Sequence, residues 1–314
     1  MIDIDDNKFI ASEQRELLKN FEVSVVVAAH NEALHLHEAL SSILSQVGLS
    51  FELIYVDDNS TDCSLEIAEK ISKNDKRLKI FKNKNKGKCS AFNYGVSLTS
   101  GRFICIFAGD DIMPEGSLEA RYDSVAREPD EKHVVGICKL ITMSENRKFD
   151  GHLIPRAKGR GALSGVSPLM NRNVAAVIFP TPEILPNEDT WMELALLHMP
   201  NWKIVQSDTI CCRWRVHSGN SINLTLSFLE FNRRISVRME ALNLFMDKFG
   251  SSLDDFQRGT LQAKIEMEKA RRRGDWFGVL RSNVNFIDRL RAISYTNATM
   301  YVIRARLYGL LSGW

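Results

Sequence analysis

The first 143 residues alternate short apolar runs with segments of helical periodicity. The predicted strands begin at Val23, Phe51, Leu78, Arg102 and His133, and the segments between them place apolar residues three to four positions apart. This alternation predicts βαβ units and a mostly parallel sheet flanked by helices. In such α/β folds, ligands bind beyond the carboxyl ends of the strands. The sequence therefore predicts a site at that edge of the sheet.

The composition is that of a globular protein. Of 314 residues, 44% are hydrophobic and 25% are charged, which excludes a mainly disordered chain, a collagen-like fibre and a small disulfide scaffold. The six cysteines form no C-x-x-C pair, which argues against a zinc ribbon or a thioredoxin-type site. We expect these cysteines to be reduced, as in the cytoplasm. The acidic N-terminus shows no secretory signal, and no apolar run approaches the roughly 20 residues that span a bilayer.

Two pairs of adjacent aspartates follow predicted strands. Asp57 and Asp58 end the second strand, Asp110 and Asp111 end the fourth, and the polar residues 30–32 end the first. Adjacent carboxylates repel each other unless a cation or a donor-rich ligand meets them. One pair alone is commonly a solvated turn or a helix cap, but two pairs at one edge of a sheet favour a binding function. Such hard oxygen donors suit magnesium or manganese held together with substrate phosphates.

The second half of the chain adds two polar segments. Asp189 lies at the start of a predicted helix over 187–198, where an acid can also simply stabilise the helix N-terminus. Arg215 and His217 stand beside a predicted loop, where they can hold a diphosphate and a metal, although a single histidine there is commonly packed or solvated. Residues 144–168, rich in glycine and basic residues, predict a mobile loop.

Six motifs occur in a characteristic order and spacing. They are VSVVVAAHNE from Val23, ELIYVDDNSTD from Glu52, KGKCSAFNYG from Lys86, GRFICIFAGDDIMP from Gly101, NED at 187–189 and R-x-H at 215–217. This set resembles the family 2 glycosyltransferases, which have a GT-A fold. The resemblance covers roughly residues 21–222. It implies a catalytic domain over 21–222, with a nucleotide-sugar half at 21–115 and an acceptor half at 116–222.

The resemblance implies an inverting enzyme that transfers a sugar from a nucleoside-diphosphate sugar, usually a uridine one, with the help of magnesium or manganese. The implied donor-binding residues are Ala28, His30, Glu32, Asp58, Lys86, Asn93 and Arg215. The implied metal ligands are Asp110, Asp111 and His217, and the implied catalytic base is Asp189. A cation balances the charge that develops on a diphosphate leaving group, and a carboxylate takes the proton of the attacking hydroxyl.

The chain departs from the family pattern at two positions. The family often has D-A-D-D where this chain has Ala108 and Gly109 before the aspartate pair, so the first carboxylate, which contacts ribose or shares the metal, is missing. The Q-x-x-R-W signature of processive polysaccharide synthases is not evident, because the segment at 211–214 keeps Arg-Trp but lacks the glutamine. Without that signature, the resemblance implies addition of a single sugar. We expect the acceptor to be a glycan or a lipid-linked molecule of cell-surface polysaccharide synthesis, on the cytoplasmic side.

Two other functions stay open. Ala108 also suits a non-catalytic module that binds a nucleotide-sugar. A sugar-phosphate nucleotidyltransferase shares the strand–helix alternation, but it expects a glycine-rich, basic loop after the first strand, where this chain has residues 29–32, Ala-His-Asn-Glu.

Flanking the predicted catalytic domain are an N-terminal extension over 1–20 and a helical, basic C-terminal region over 223–314. Residues 268–314 contain nine basic and three acidic residues, a charge of +6, so the other 267 residues carry −4. Aromatic residues are interleaved with these charges, at Trp276, Phe277, Phe286, Tyr295, Tyr301, Tyr308 and Trp314. The pattern fits helices packed on the catalytic domain or a peripheral surface for anionic membrane lipid. Nucleic acid is a third partner class, but no nucleic-acid motif accompanies the charge.

Overall fold

A computed structural model describes residues 21–216 and 226–311. Its strands are β1 (Val23–Ala29), β2 (Phe51–Asp57), β3 (Leu78–Lys82), β4 (Phe103–Ala108), β5 (Val134–Met143), β6 (Leu153–Ile154), β7 (Leu169–Asn171) and β8 (Lys203–Arg215). Its helices are α1 (Leu36–Leu44), α2 (Ser64–Asn74), α3 (Lys88–Ser97), α4 (Ser117–Val125), α5 (Arg172–Ile178), α6 (Asp189–His198), α7 (Phe228–Arg238), α8 (Ala241–Phe249), α9 (Asp255–Arg272), α10 (Trp276–Arg281), α11 (Phe286–Ile293) and α12 (Ala298–Leu311), with a short 3₁₀ helix at Gly250–Ser252.

The strands form one mixed sheet in the order β3-β2-β1-β4-β7-β5-β6, and β8 pairs with the other side of β5. Strand β1 is parallel to both β2 and β4, and β2 is parallel to β3. The short strand β7 is antiparallel to β4 and β5 and joins the two halves of the sheet. The mostly parallel sheet flanked by helices that the alternation predicts is confirmed.

Strand β1 is buried along its whole length because helices cover both faces of the sheet. Successive side chains point to opposite faces, so Val26 and Ala28 pack on the side of α3, α5 and α6, whereas Val25 and Val27 pack on the side of α1 and α4. The two apolar layers together stabilise the sheet, and they explain why every residue of β1 except Ser24 is apolar.

The chain changes direction at β1, since β2 and β3 lie to one side of it and β4 lies to the other. Such a switch point opens a crevice at the carboxyl ends of the strands. Three polar segments, at residues 30–32, 57–58 and 108–111, leave the strands at this crevice. The Asp110–Asp111 turn is also tied to β8, because the backbone of Ile112 exchanges hydrogen bonds of 2.8 and 3.2 Å with Arg213.

The segment 144–168, predicted as a mobile loop, contains strand β6 and is hydrogen-bonded to the sheet. The backbone N–H of Ala162 donates to the carbonyl of Cys138 at 2.7 Å, and that of Gly161 donates to Oε1 of Gln206 at 2.7 Å. Glycine is required at 161, since a Cβ there would collide with the carbonyl of Ile137. These contacts hold residues 160–166 beside the crevice.

After residue 226 the described chain is helical, as predicted. Helix α8 packs on α6 of the sheet domain, where the ring of Phe245 contacts that of Trp191 at a centroid distance of 5.3 Å. Both rings are completely buried. In the described ranges, every helix is too short or too polar to cross a lipid bilayer.

The two glycines at 161 and 259 predict opposite responses to alanine. Gly161→Ala should lower the free energy of unfolding by about 1–3 kcal/mol, as expected for overpacking against backbone. Gly259→Ala should raise it by about 0.5–1 kcal/mol, because Gly259 lies inside α9 with open space around its Cα. Urea unfolding of both variants measures these changes, and equal effects at the two positions would contradict the close approach at 161.

Candidate active site

A cavity of about 1000 Å³ opens at the carboxyl ends of β1, β2 and β4. Predicted site residues from four separate parts of the chain meet there, namely Ala28, His30, Glu32, Asp58, Asp110, Asp111 and Asp189. Residues 160–166 and Trp214 form further parts of the wall. The volume is at the upper end of the range typical of small-molecule sites.

Asp58 is held in place by three donors. Its carboxylate accepts hydrogen bonds from Nδ2 of Asn83 at 2.8 Å and from the backbone N–H of Gly87 at 2.9 Å. Its backbone carbonyl accepts a 2.8 Å hydrogen bond from Nδ1 of His30, so the proton of this imidazole lies on Nδ1. The first two polar segments of the crevice are therefore connected directly.

The Asp110–Asp111 turn presents two carboxylates in different environments. Asp110 lines the cavity and is partly exposed, whereas Asp111 is only 2% exposed. Burial and the charge of Asp110 raise the pKa of Asp111, although the backbone N–H of Arg215 donates to Oδ1 of Asp111 at 2.8 Å. Asp111 therefore anchors the turn against β8, and Asp110 is the more accessible of the two carboxylates at the cavity.

Asp189 begins α6, lines the same cavity and is held in place by its neighbours. Its Oδ1 accepts a 2.8 Å hydrogen bond from the backbone N–H of Gly165, and its Oδ2 accepts one of 3.1 Å from Nδ2 of Asn187. Nη2 of Arg238 lies 3.8 Å from the same Oδ2. Burial alone would raise the pKa of Asp189, but the positive charges of Lys88 and Arg238 and the Gly165 N–H lower it.

Lys88 and Glu188 form an ion pair next to Asp189. Nζ of Lys88 lies 3.1 Å from Oε1 of Glu188, and Glu188 is only 1% exposed. Desolvation by itself lowers the pKa of Lys88, but the charges of Glu188, Asp189 and Asp110 outweigh it and raise the pKa. Burial and the charge of Asp189 raise the pKa of Glu188. The lysine is thus the cation shared by the carboxylates of the cavity.

Comparison with known proteins identifies the sheet domain. Residues 24–172 match the family model described as Glycosyl transferase family 2. The chain carries a family 2 glycosyltransferase domain. Over 115 residues it is 38% identical to the glycosyltransferase GlyG of Streptococcus pneumoniae, a match that covers 36% of this chain and 38% of that protein. The chain spans about a third of the length of the first curated relatives that it matches.

Two solved structures show the fold of nearly the whole chain. TarS residues 1–349 of S. aureus, in complex with UDP-GlcNAc, superpose with a TM-score of 0.59 at 18% identity, covering 93% of this chain and 89% of that one. The mannosyltransferase PcManGT of Pyrobaculum calidifontis, in complex with GDP-Man and Mn²⁺, superposes with a TM-score of 0.57 at 15% identity, covering 95% and 82%. This likeness confirms the GT-A fold with a C-terminal helical extension.

Four residues predicted to bind donor or metal are absent from the described part of the cavity wall. Lys86 is exposed and does not line the cavity. Asn93 holds Thr181 through hydrogen bonds of 2.8 and 2.9 Å. Arg215 donates from Nε to the carbonyl of Asp110 at 2.8 Å and pairs with Glu38, so its side chain supports the aspartate turn. His217 lies outside the described residues, and its role as a ligand stays a prediction.

Four charged residues of the cavity were not predicted as site residues, namely Lys88, Arg160, Glu188 and Arg238. Lys88 had a signal, since a cation in the first turn of a helix opposes the helix dipole and needs another reason to be there. Glu188 also had one, because it repeats the adjacent-carboxylate pattern of the two aspartate pairs. Arg238 had none, because it lies far along the chain from Asp189, on α7.

The donor set fits a hard divalent cation held jointly with a ligand. Within the described ranges, no group of three or more His, Cys, Asp and Glu side chains is arranged to hold a metal. Both aspartates of the turn line the cavity, but Asp110 is partly exposed, whereas Asp111 is 2% exposed and accepts a hydrogen bond from the backbone of β8. Magnesium characteristically takes one or two carboxylates and completes its shell with phosphate oxygens and water. A divalent cation at this site would therefore need phosphate oxygens from the ligand to complete its coordination shell.

The environment of Asp189 predicts a defined response to loss of Arg238. Arg238→Gln should raise the pKa of Asp189, since it removes one of the two cations that stabilise the carboxylate. Carboxyl-carbon NMR titration measures that pKa. The control is Arg234→Gln, because Arg234 pairs with Glu230 on the exposed part of α7. An unchanged Asp189 titration in Arg238→Gln would contradict the assigned interaction.

Proposed function

We propose that this protein is an inverting glycosyltransferase that moves one sugar from a nucleoside-diphosphate sugar, a uridine one, to a hydroxyl of a glycan or lipid-linked acceptor. The observation that carries the proposal is the meeting of Asp58, Asp110 and Asp189 at one cavity, from the ends of β2 and β4 and the start of α6. Each of the three belongs to one of the motifs that resemble the family 2 glycosyltransferases. The cavity of about 1000 Å³ has room for both a donor and an acceptor.

The donor half of the cavity supports a nucleotide-sugar. Asp58 and His30 are fixed to each other and to the backbone of Gly87, so polar groups for a base and ribose are preorganised. The TarS fragment that shares this fold was solved with UDP-GlcNAc, and PcManGT with GDP-Man and Mn²⁺. Asp110 would hold the divalent cation, which neutralises charge on the diphosphate as it leaves.

Asp189 has the properties of a general base. Its pKa is lowered by Lys88, Arg238 and the Gly165 N–H against the opposing effect of burial, so the carboxylate is ionised and able to accept a proton at neutral pH. In the proposed reaction it takes the proton of the acceptor hydroxyl while the oxygen attacks the anomeric carbon. The bond to the diphosphate breaks on the opposite face, which inverts the configuration. Lys88 and Arg238 hold the base, and Gly165 leaves space for it.

Ala108 keeps a second candidate in view, a module that binds a nucleotide-sugar without turnover. The missing carboxylate would remove one contact with ribose or metal. The surroundings of Asp189 favour catalysis, because a module without turnover has no need of a carboxylate kept ionised by Lys88, Arg238 and the N–H of Gly165. We place the reaction in cell-surface polysaccharide synthesis on the cytoplasmic side of the membrane.

Replacement of the base separates the two candidates. Asp189→Asn should lower turnover by about 10²- to 10⁴-fold, the usual contribution of a general base, while the donor dissociation constant changes little. Release of nucleoside diphosphate measures turnover, and calorimetry measures donor binding. The control is Glu183→Gln, which changes an exposed acid that is absent from the cavity wall. Wild-type protein that binds donor but never releases diphosphate with any acceptor would favour the binding module.

Cation dependence tests the role of Asp110. Manganese should strengthen binding of a uridine nucleotide to the wild type, and Asp110→Ala should lose most of that gain, because the metal then lacks its cavity-facing carboxylate. Calorimetry with and without manganese measures both affinities. Glu115→Ala is the matched control, since Glu115 is exposed and lies outside the cavity wall. A full manganese effect in Asp110→Ala would overturn the assignment.

A further inference from the structure

The aromatic residues of the basic C-terminal region divide into two groups. Tyr295 and Tyr301 pack on Phe231 of α7, with ring centroids 4.7 and 5.0 Å apart. Trp276, Phe277 and Phe286 instead face solvent. The side chains of Tyr308 and Trp314 lie outside the described part of the structure. Packing on the rest of the molecule therefore accounts for the tyrosines and leaves the other three unexplained.

The exposed group belongs to a pattern that α10 and α11 share. Each helix begins with two large apolar residues and has leucine and arginine four and five positions after the first of them. These residues are Trp276, Phe277, Leu280 and Arg281 in α10, and Phe286, Ile287, Leu290 and Arg291 in α11. The six apolar members are between 41% and 70% exposed. With 3.6 residues per turn, the four positions of each helix lie on one side of it.

The opposite sides of both helices face α9. Val279 of α10 is completely buried and Ala292 of α11 is 5% exposed, and both join Met267 and Ala270 of α9 in one apolar cluster. Because both helices turn a small apolar residue to the same neighbour, their large apolar residues point away from the body of the protein. Soluble proteins rarely expose a contiguous group of large apolar side chains, so six of them on two neighbouring helices indicate an interaction surface.

The charges around this surface are positive. Residues 273–304 contain five arginines and two aspartates, a net charge of +3. Both aspartates are engaged locally, since Asp275 accepts from the N–H of Gly278 and Asp288 accepts from Nδ2 of Asn285. Arg281 forms no ion pair with any residue that the structure describes, and Arg291 has only a 4.0 Å contact with Asp288. The two arginines of the shared pattern are thus available to anionic groups.

We propose that the α10–α11 surface, formed by the eight residues of the shared pattern, binds the headgroup region of an anionic lipid bilayer. Short amphipathic helices lie in that region with aromatic and aliphatic side chains among the acyl chains and basic side chains at the phosphates. A protein partner would explain the apolar residues, and nucleic acid would explain the charge, but the combination of both on one outward side fits a membrane surface. This proposal is independent of the transferase reaction.

Vesicle co-sedimentation of the full chain, without nucleotide-sugar or metal, tests the surface. We expect binding to vesicles that contain phosphatidylglycerol, little binding to pure phosphatidylcholine, and weakening at about 1 M salt, where the Debye length is about 3 Å. Arg281→Gln with Arg291→Gln should weaken binding about fivefold per arginine, which corresponds to about 1 kcal/mol each. Phe277→Gln with Phe286→Gln should lower binding at low and at high salt.

The matched control is Arg233→Gln with Arg234→Gln, which removes two charges from exposed side chains of α7, outside the surface. This pair should bind vesicles close to the wild-type level, and thermal unfolding shows whether each variant is folded. Equal losses in the control and the α10–α11 pair, or equal binding to neutral and anionic vesicles, would overturn the proposal. Light scattering gives a further test. If the wild type is a dimer and the double variant Phe277→Gln with Phe286→Gln is a monomer, the proposal is also overturned, because a second copy of the chain would then cover the surface.

Discussion

The burial of β1 between β2 and β4 is the constraint on which the arrangement of the cavity depends. Every residue of the strand is buried, and its neighbours run parallel to it in a fixed register. Parallel strands end at the same edge, so the segments that follow β1, β2 and β4 meet without any long-range polar interaction to bring them together. The polar residues then refine this meeting, as when His30 donates to the carbonyl of Asp58.

The second determinant is the balance of charge within the cavity. The wall contains six acidic side chains, those of Glu32, Asp58, Asp110, Asp111, Glu188 and Asp189, against three basic ones, those of Lys88, Arg160 and Arg238. Like charges this close destabilise one another, and the pKa of Asp111 is raised for that reason as well as by burial. Lys88 offsets part of the repulsion on the side of Asp189. The negative charge that Lys88 does not offset makes the cavity suitable for a cation bound together with a phosphate-bearing ligand.

The C-terminal region contributes to two different parts of the molecule. Helices α7 and α8 contact the domain that forms the cavity, since Arg238 reaches Asp189 and Phe245 packs on Trp191. Helices α10 and α11 pack on α9 and direct their large apolar residues outward. If the α10–α11 surface lies on a membrane, the protein is held close to lipid-linked acceptors while the proposed transfer takes place. A single helical region thus connects the proposed base to the proposed site of attachment.

The sequence by itself determined the sheet and the residues at its carboxyl edge. β-branched runs and helical periodicity are local properties, and parallel strands bring their ends together in any protein of this class, so Asp58 and Asp110 could be placed in one site beforehand. The pattern that α10 and α11 share, which begins at Trp276 and again ten residues later at Phe286, was also present in the sequence. Tertiary structure alone decided the partners of Asp189, because the position of Arg238 depends on how α7 and α8 pack against α6. Tertiary structure also placed Arg215 at the aspartate turn, since the pairing of β8 with β5 and with Ile112 sets where that side chain lies. It also separated the packed tyrosines from the exposed aromatic residues, because burial depends on neighbours that are distant in the chain.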